Sequence, residues 1–184
     1  MRIPFARTSA ETNLFMELNP CSCGNGAFPG RQLPWGISVL EVSRQLTVRY
    51  DWDCPGCGTH REFDFRTPKD PEPFPRPGEQ FRWGDGTTPS ELLDPGEWML
   101  VADRYAGSVR LTDPDRRVHC AMAAAAVDEV LLFVKRRLVG AHAVPRSAFW
   151  TPVGKARYEE MPFLFERPML EVTRDTYRNL ANEP

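Results

Sequence analysis

Histidine and lysine are scarce in this chain, with three of each in 184 residues against 20 arginines. So few imidazoles leave a thin supply for acid–base catalysis near neutral pH. Long apolar runs are also missing. No stretch approaches the ~18 residues that read as a membrane span, so no transmembrane helix is expected. Met1-Arg2-Ile3-Pro4-Phe5 is followed by polar residues without an apolar stretch. No secretory leader is therefore read, and a cytoplasmic location is expected. Nor does charge of one sign dominate. Lys plus Arg total 23 against 25 for Asp plus Glu, for a formal net charge of −2. That balance argues against a protein that coats nucleic acid. The His-Glu-x-x-His, phosphate-loop and Gly-x-Ser-x-Gly signatures are missing too, which removes the common hydrolase and nucleotide classes.

What the chain does have is proline and paired cysteine. Pro68, Pro71, Pro73, Pro75 and Pro77 fall close together among the 18 prolines. They favour extended chain, so residues 67–89 are read as a proline-rich loop or linker. Four of the five cysteines form two close pairs, Cys21-Ser22-Cys23 and Cys54-Pro55-Gly56-Cys57, 30 residues apart. Gly24 and Gly58 follow them directly. A structural metal site takes four soft ligands, usually as two chelating pairs. Glycine after the second cysteine permits the positive φ that turns backbone amides toward the thiolates. Cys21, Cys23, Cys54 and Cys57 are therefore the candidate ligands of one structural Zn2+.

Between the pairs, residues 37–42 are β-rich. Leu46, Val48, Tyr50 and Trp52 alternate with Thr47, Arg49 and Asp51, which is the period of a strand with one apolar face. Residues 60–66 read as another strand, and residues 13–18, Asn-Leu-Phe-Met-Glu-Leu, as a fourth leading into Pro20-Cys21. Residues 1–12 show little pattern and are expected to form a frayed start or an edge strand.

Over about residues 13–66 the arrangement resembles the zinc-ribbon group and, within it, uncharacterised bacterial domains with paired Cys-Pro-x-Cys motifs. The second pair matches the family's knuckle closely, whereas the first has one spacer residue where two are usual. The resemblance implies two knuckles at β-hairpin tips clamping one zinc. A dithiol redox site is the rival, because Trp52 shortly precedes Cys54-Pro55-Gly56-Cys57. Such a site opens a helix, however, and the residues after Gly58 alternate like a strand. A disulfide is the other rival, and a reducing compartment disfavours it. His60 is read as a solvent-side strand residue and Cys120 as a buried, inert thiol.

From residue 90 the pattern turns helical. Asp94-Pro95-Gly96-Glu97 carries an N-cap, a proline at N1 and a capping-box acid. Trp98, Val101, Ala102 and Tyr105 follow at helical spacing, and Gly107 ends the element. Asp113-Pro114 is expected to start a longer helix with Val127, Val130, Leu131, Val134 and Leu138 inside. Lys135, Arg136 and Arg137 would lie in its last turn, with Gly140 as the stop. Thr151-Pro152 caps a short helix to about Glu160, and Pro168 opens a last one through Leu170, Thr173, Tyr177 and Leu180. The fold class is α+β, an N-terminal antiparallel zinc-ribbon-like sheet followed by a mainly helical C-terminal half. Three parts are expected: a β-rich module over 1–66, the linker over 67–89, and a helical region over 90–184 packed on the first module.

Four thiolates leave a zinc no open position for water, so the expected ion builds structure and does not hydrolyse. His119 and Cys120 diverge on a helix and cannot pair as base and nucleophile, and His142 has no carboxylate at useful spacing. Glu97 and Asp103 are read as a cap and a solvated charge. The chain is thus read as a non-catalytic, zinc-stabilised protein-binding protein, with a bacterial immunity or adaptor protein as the favoured form. Residues 67–112 carry 5 basic and 8 acidic residues, which suits a basic protein partner. Trp83 and Trp98 are its candidate anchors. A nucleic-acid-binding zinc ribbon is the first alternative, on Arg49, Arg61 and Arg66 with Trp35, Trp52, Phe81 and Trp83 as stacking platforms. An unrecognised enzyme or dithiol redox protein is the second.

Overall fold

The computed structural model describes residues 3–24, 36–42, 45–69, 80–107, 115–134 and 142–183. The chain divides into two compact units, Met1–Phe74 and Pro75–Pro184. The fold class is α+β: a three-stranded antiparallel sheet in the N-terminal half, then a mainly helical C-terminal half.

The first unit opens with helix α1, Ser9–Leu18, where the sequence pattern suggested a strand over 13–18. Thr8-Ser9-Ala10-Glu11 explains the difference. The Thr8 hydroxyl accepts the Glu11 backbone N–H at 3.1 Å, as an N-cap should. The Glu11 carboxylate turns back to accept the Arg7 N–H at 2.9 Å and the Arg7 guanidinium at 2.6 Å. Both charges are buried, Arg7 at 3% exposure and Glu11 at 0%. Desolvation on that scale is offset only by such multidentate pairing. The apparent alternation of Leu14, Phe15 and Met16 is instead one helix packing on several sides.

Three strands follow, β1 (Gly36–Val42), β2 (Gln45–Asp53) and β3 (His60–Arg66), in the spatial order β1-β2-β3. Val48 lies opposite Phe65, Tyr50 opposite Phe63 and Trp52 opposite Arg61, so the apolar face read from the sequence is one face of the sheet. Phe15 of α1 meets it edge-on, with ring centroids 6.2 Å from Phe63 and 5.7 Å from Phe65. On the opposite face Arg49 bridges Asp64 at 2.7 Å and Glu62 at 2.9 Å. Beyond β3, Phe5 forms a single parallel bridge with Arg66, so of the frayed or edge-strand start expected over 1–12 one rung of pairing is present. Residues 9–12 are instead the first turn of α1, with Ala10, Glu11 and Thr12 buried.

The second unit holds α2 (Pro95–Gly107), α3 (Arg116–Leu132), α4 (Pro152–Glu160) and α5 (Arg167–Asn182). Helix α3 packs against both α2 and α5. Its alanines allow the approach: Ala123 and Ala126 are fully buried beside Val127 and Val130. The helix ends at Leu132, earlier than the expected stop at Gly140. Phe133 and Val134 direct their N–H groups to the carbonyls of Val130 and Leu131, a tight three-residue closure of the last turn. The expected features at Asp113-Pro114 and from Lys135 to Gly140 lie outside the described residues, as do the four prolines from Pro71 to Pro77.

Asp94 organises the remaining helices. Its Oδ1 accepts the N–H groups of Gly96 and Glu97, both at 3.0 Å, while its own N–H donates to Glu97 at 3.0 Å. The capping box read from the sequence is therefore complete. Its Oδ2 also accepts from Trp150 N–H, Thr151 N–H and the Thr151 hydroxyl, at 3.1, 2.8 and 2.8 Å. One buried carboxylate thus serves the starts of α2 and α4. The two starts approach so closely that a Cβ on Gly96 would collide with Gly154, and one on Gly154 with the Asp94 carboxylate.

Candidate metal centre

The two cysteine pairs sit on different supports. Cys54-Pro55-Gly56-Cys57 forms the turn between β2 and β3. Cys54 N–H bonds to Thr59 O at 2.8 Å, and Gly58 N–H returns to Cys54 O at 2.8 Å. Gly58 has φ +72°, a left-handed conformation that favours glycine. Nothing lies within 4 Å of where its Cβ would stand, so backbone conformation and not space requires glycine there. The first pair follows the C-terminus of α1 instead of a strand tip, which corrects the expectation of two hairpin knuckles. It closes on a shorter turn, Gly24 N–H to Cys21 O at 2.8 Å with φ +81° at Gly24.

Arg61 ties these supports together, a role that the sequence alone did not suggest. Its guanidinium donates to Asn19 O at 2.7 Å and lies over the rings of Phe63 (5.0 Å) and Trp52 (5.8 Å). Asn19 in turn closes α1 by donating its backbone and side-chain N–H groups to Phe15 O. Two residues further on is Cys21. The contact between β3 and the helix end therefore aims the first pair at the second.

Cys21, Cys23, Cys54 and Cys57 consequently meet, with all four sulfurs within 4.8 Å of one another. Cys21 Sγ is 3.6 Å from Cys57 Sγ, and Cys23 Sγ is 3.6 Å from Cys54 Sγ. Zinc–sulfur bonds of about 2.3 Å place tetrahedral ligands about 3.8 Å apart. All five cysteines are free thiols. The cluster thus has the donor set and spacing to hold a metal ion. Cys21 and Cys54 are buried, Cys23 and Cys57 exposed. A hydrogen bond from the Cys23 backbone N–H, helped by the neighbouring thiols, lowers Cys21 to about 6 against the opposing effect of burial. The Thr59 hydroxyl, 3.2 Å from Cys57 Sγ, lowers the Cys57 thiol. Both shifts favour the thiolate, the form that binds metal.

The remaining candidates fall elsewhere. His60 is exposed and pairs with Asp53 at 2.9 Å, which raises its pKa. It is not part of the sulfur cluster. Cys120 is buried in α3, where desolvation raises its thiol. His119 lies 5.9 Å from the Tyr105 ring and His142 is exposed. Glu97 is spent on the α2 cap and Asp103 on Arg157. Trp83 and Trp98, expected as exposed anchors, are buried at 3% and 0% exposure. Trp83 donates to Met122 O, and Trp98 occupies the inner face of α2. The nucleic-acid candidates are likewise committed within the fold. Arg49 pairs with Asp64 and Glu62, Arg66 donates to Ile3 O and covers Phe5, and Trp52 is buried. Trp35 lies outside the described residues.

Fold and site together define an α+β chain with a tetracysteine cluster where the C-terminus of a helix meets the end of a β-hairpin. Among known proteins, no family model, no curated protein and no solved structure matches this chain. No helix among the described residues is long and apolar enough to cross a membrane.

Proposed function

We propose that the four thiolates hold one structural Zn2+ and that the protein acts as a non-catalytic binding protein built around that zinc-stabilised corner. The spacing of the four sulfurs carries this reading, because it suits a tetrahedral ion with every position taken by protein. When bound, zinc would supply a crosslink between α1 and the β2–β3 turn, with no water to activate. Use of the nearby arginines in internal pairs supports a protein partner over nucleic acid. The acidic excess of residues 67–112 in the sequence, which persists when the buried Asp94 is set aside, favours a basic partner, and an immunity-type or adaptor protein is the form such a charge balance suits.

Elemental analysis of the purified protein tests the metal reading. One zinc per chain is expected, and Cys54→Ser should lose both the zinc and the fold of the first unit. A Cys54→Ser protein that keeps its zinc and its thermal midpoint would refute the ligand assignment. Titration with duplex DNA and single-stranded RNA at physiological salt tests the partner class. Saturable, sequence-tolerant binding would transfer the function to nucleic acid.

A further inference from the structure

The second unit contains a cavity of about 250 Å³ between the loop over residues 80–86 and helices α3 and α5. It is unrelated to the thiolates and is read independently of them. The loop is fixed at several points. Trp83 Nε1 donates to Met122 O at 3.0 Å, and Gly84 N–H donates to Glu129 Oε1 at 3.0 Å. Asp85 then accepts the N–H groups of Thr87 and Thr88 at 2.8 and 2.9 Å. Gly86 has φ +73°, with Arg82 passing close to where its Cβ would stand. Loop anchors of this kind remove much of the ordering cost of binding.

Three guanidiniums line the cavity: Arg82 from the loop, and Arg174 and Arg178 from α5. Arg178 is held by Asp128 at 2.8 Å, while Arg174 is held by Asp175 at 2.8 Å and lies 3.9 Å from Asp128. Each guanidinium has five N–H donors, so these contacts orient the arginines without exhausting them. Arg82 is exposed and has no carboxylate partner among the described residues. Of the two acids of the lining, Asp128 is engaged by the arginines, and Glu129 accepts the Gly84 N–H through Oε1 alone. Ala125, Leu131 and Leu132 supply an apolar wall.

Two preset guanidiniums and a third on an anchored loop, beside an apolar wall, match a planar or tetrahedral oxyanion carried on a small hydrophobic body. We propose that this cavity binds a small organic oxyanion, a carboxylate or a phosphate monoester, with Arg82 as the residue that gives most of the affinity. A volume below the ~300 Å³ of ordinary ligand sites confines the ligand to a few rings or branches at most.

Calorimetric titration of the full chain with sodium benzoate and, separately, with phenyl phosphate tests this. Saturable binding of at least one probe is expected, and the probe that binds more tightly identifies the anion. Arg82→Ala should weaken it by about tenfold or more, with an unchanged thermal midpoint. Arg82→Lys should recover part of the loss, because charge returns without the bidentate fork. Should Arg82→Ala lower the midpoint, Arg174→Lys read by the same titration replaces it, and the same weakening is expected. Failure of both probes to bind at about 10 mM, or binding unaffected by the substitutions, would overturn the proposal.

Discussion

At the scale of single residues, the metal corner depends on side chains that do not touch the ion. Arg61 fastens the end of α1 to β3, so Arg61→Ala frees Cys21 and Cys23 to move relative to Cys54 and Cys57. Loss of such a supporting contact typically lowers metal affinity by about 10–100-fold, and competition with a chromophoric chelator measures it. Arg61→Lys keeps the charge but not the planar stacking on Phe63, and should recover only part of the affinity. His60 offers a pH readout at the same end of the sheet. Asp53 holds its pKa above the ordinary value. The stabilisation from this pair is therefore fully present below the unfolded histidine value, about 6.5, and is lost as pH rises through the folded one. In Asp53→Asn the histidine should titrate lower by NMR. An unchanged midpoint would assign the shift to another group.

At the scale of elements, Asp94 is the clearest dependency. Asp94→Ala removes the α2 cap, frees the Thr151 side chain that caps α4, and leaves the N–H groups of Gly96, Glu97, Trp150 and Thr151 without their acceptor. The lost cap costs about 1 kcal/mol, and the buried unpaired donors add to it. A loss of about 3 kcal/mol or more is expected in denaturant unfolding. Gly154→Ala should also destabilise, through collision with Asp94.

The same kind of signal was legible at one helix and missed at another. Asp94-Pro95-Gly96-Glu97 announced α2 because an apolar stripe at helical spacing followed it. Thr8-Ser9-Ala10-Glu11 carries an equivalent cap for α1, but the following Leu-Phe-Met stretch alternates in a short window and reads as a strand. The cysteine pairs were legible because chelation fixes ligands close in sequence. Arg61 was not, since its partner Asn19 lies 42 residues away and no local pattern marks such a contact. The burial of Trp83 and Trp98 was hidden for a related reason. An aromatic on a helical stripe or in a loop reveals its exposure only once its neighbours are placed.

At the scale of the whole molecule, the two units have different sources of stability. The second has its own apolar interior, including Trp98, Val101, Val127, Val130, Phe165 and Leu170, each at 1% exposure or less. Among its described residues the first packs helix α1 on the three-stranded sheet, with Leu14, Met16 and Phe65 buried, and it adds the thiolate corner. Chelation should therefore unfold residues of the first unit while the second retains its helical signal, as hydrogen exchange followed by mass spectrometry would show. Simultaneous loss of protection in both would mean that the metal governs the entire chain.

The central claim is that four sulfurs enclose one ion. X-ray absorption at the zinc edge of the purified protein measures this directly. The account predicts a single shell of four sulfurs at about 2.3 Å and one zinc per chain. A shell containing nitrogen or oxygen, or a fully folded protein without zinc, would contradict it.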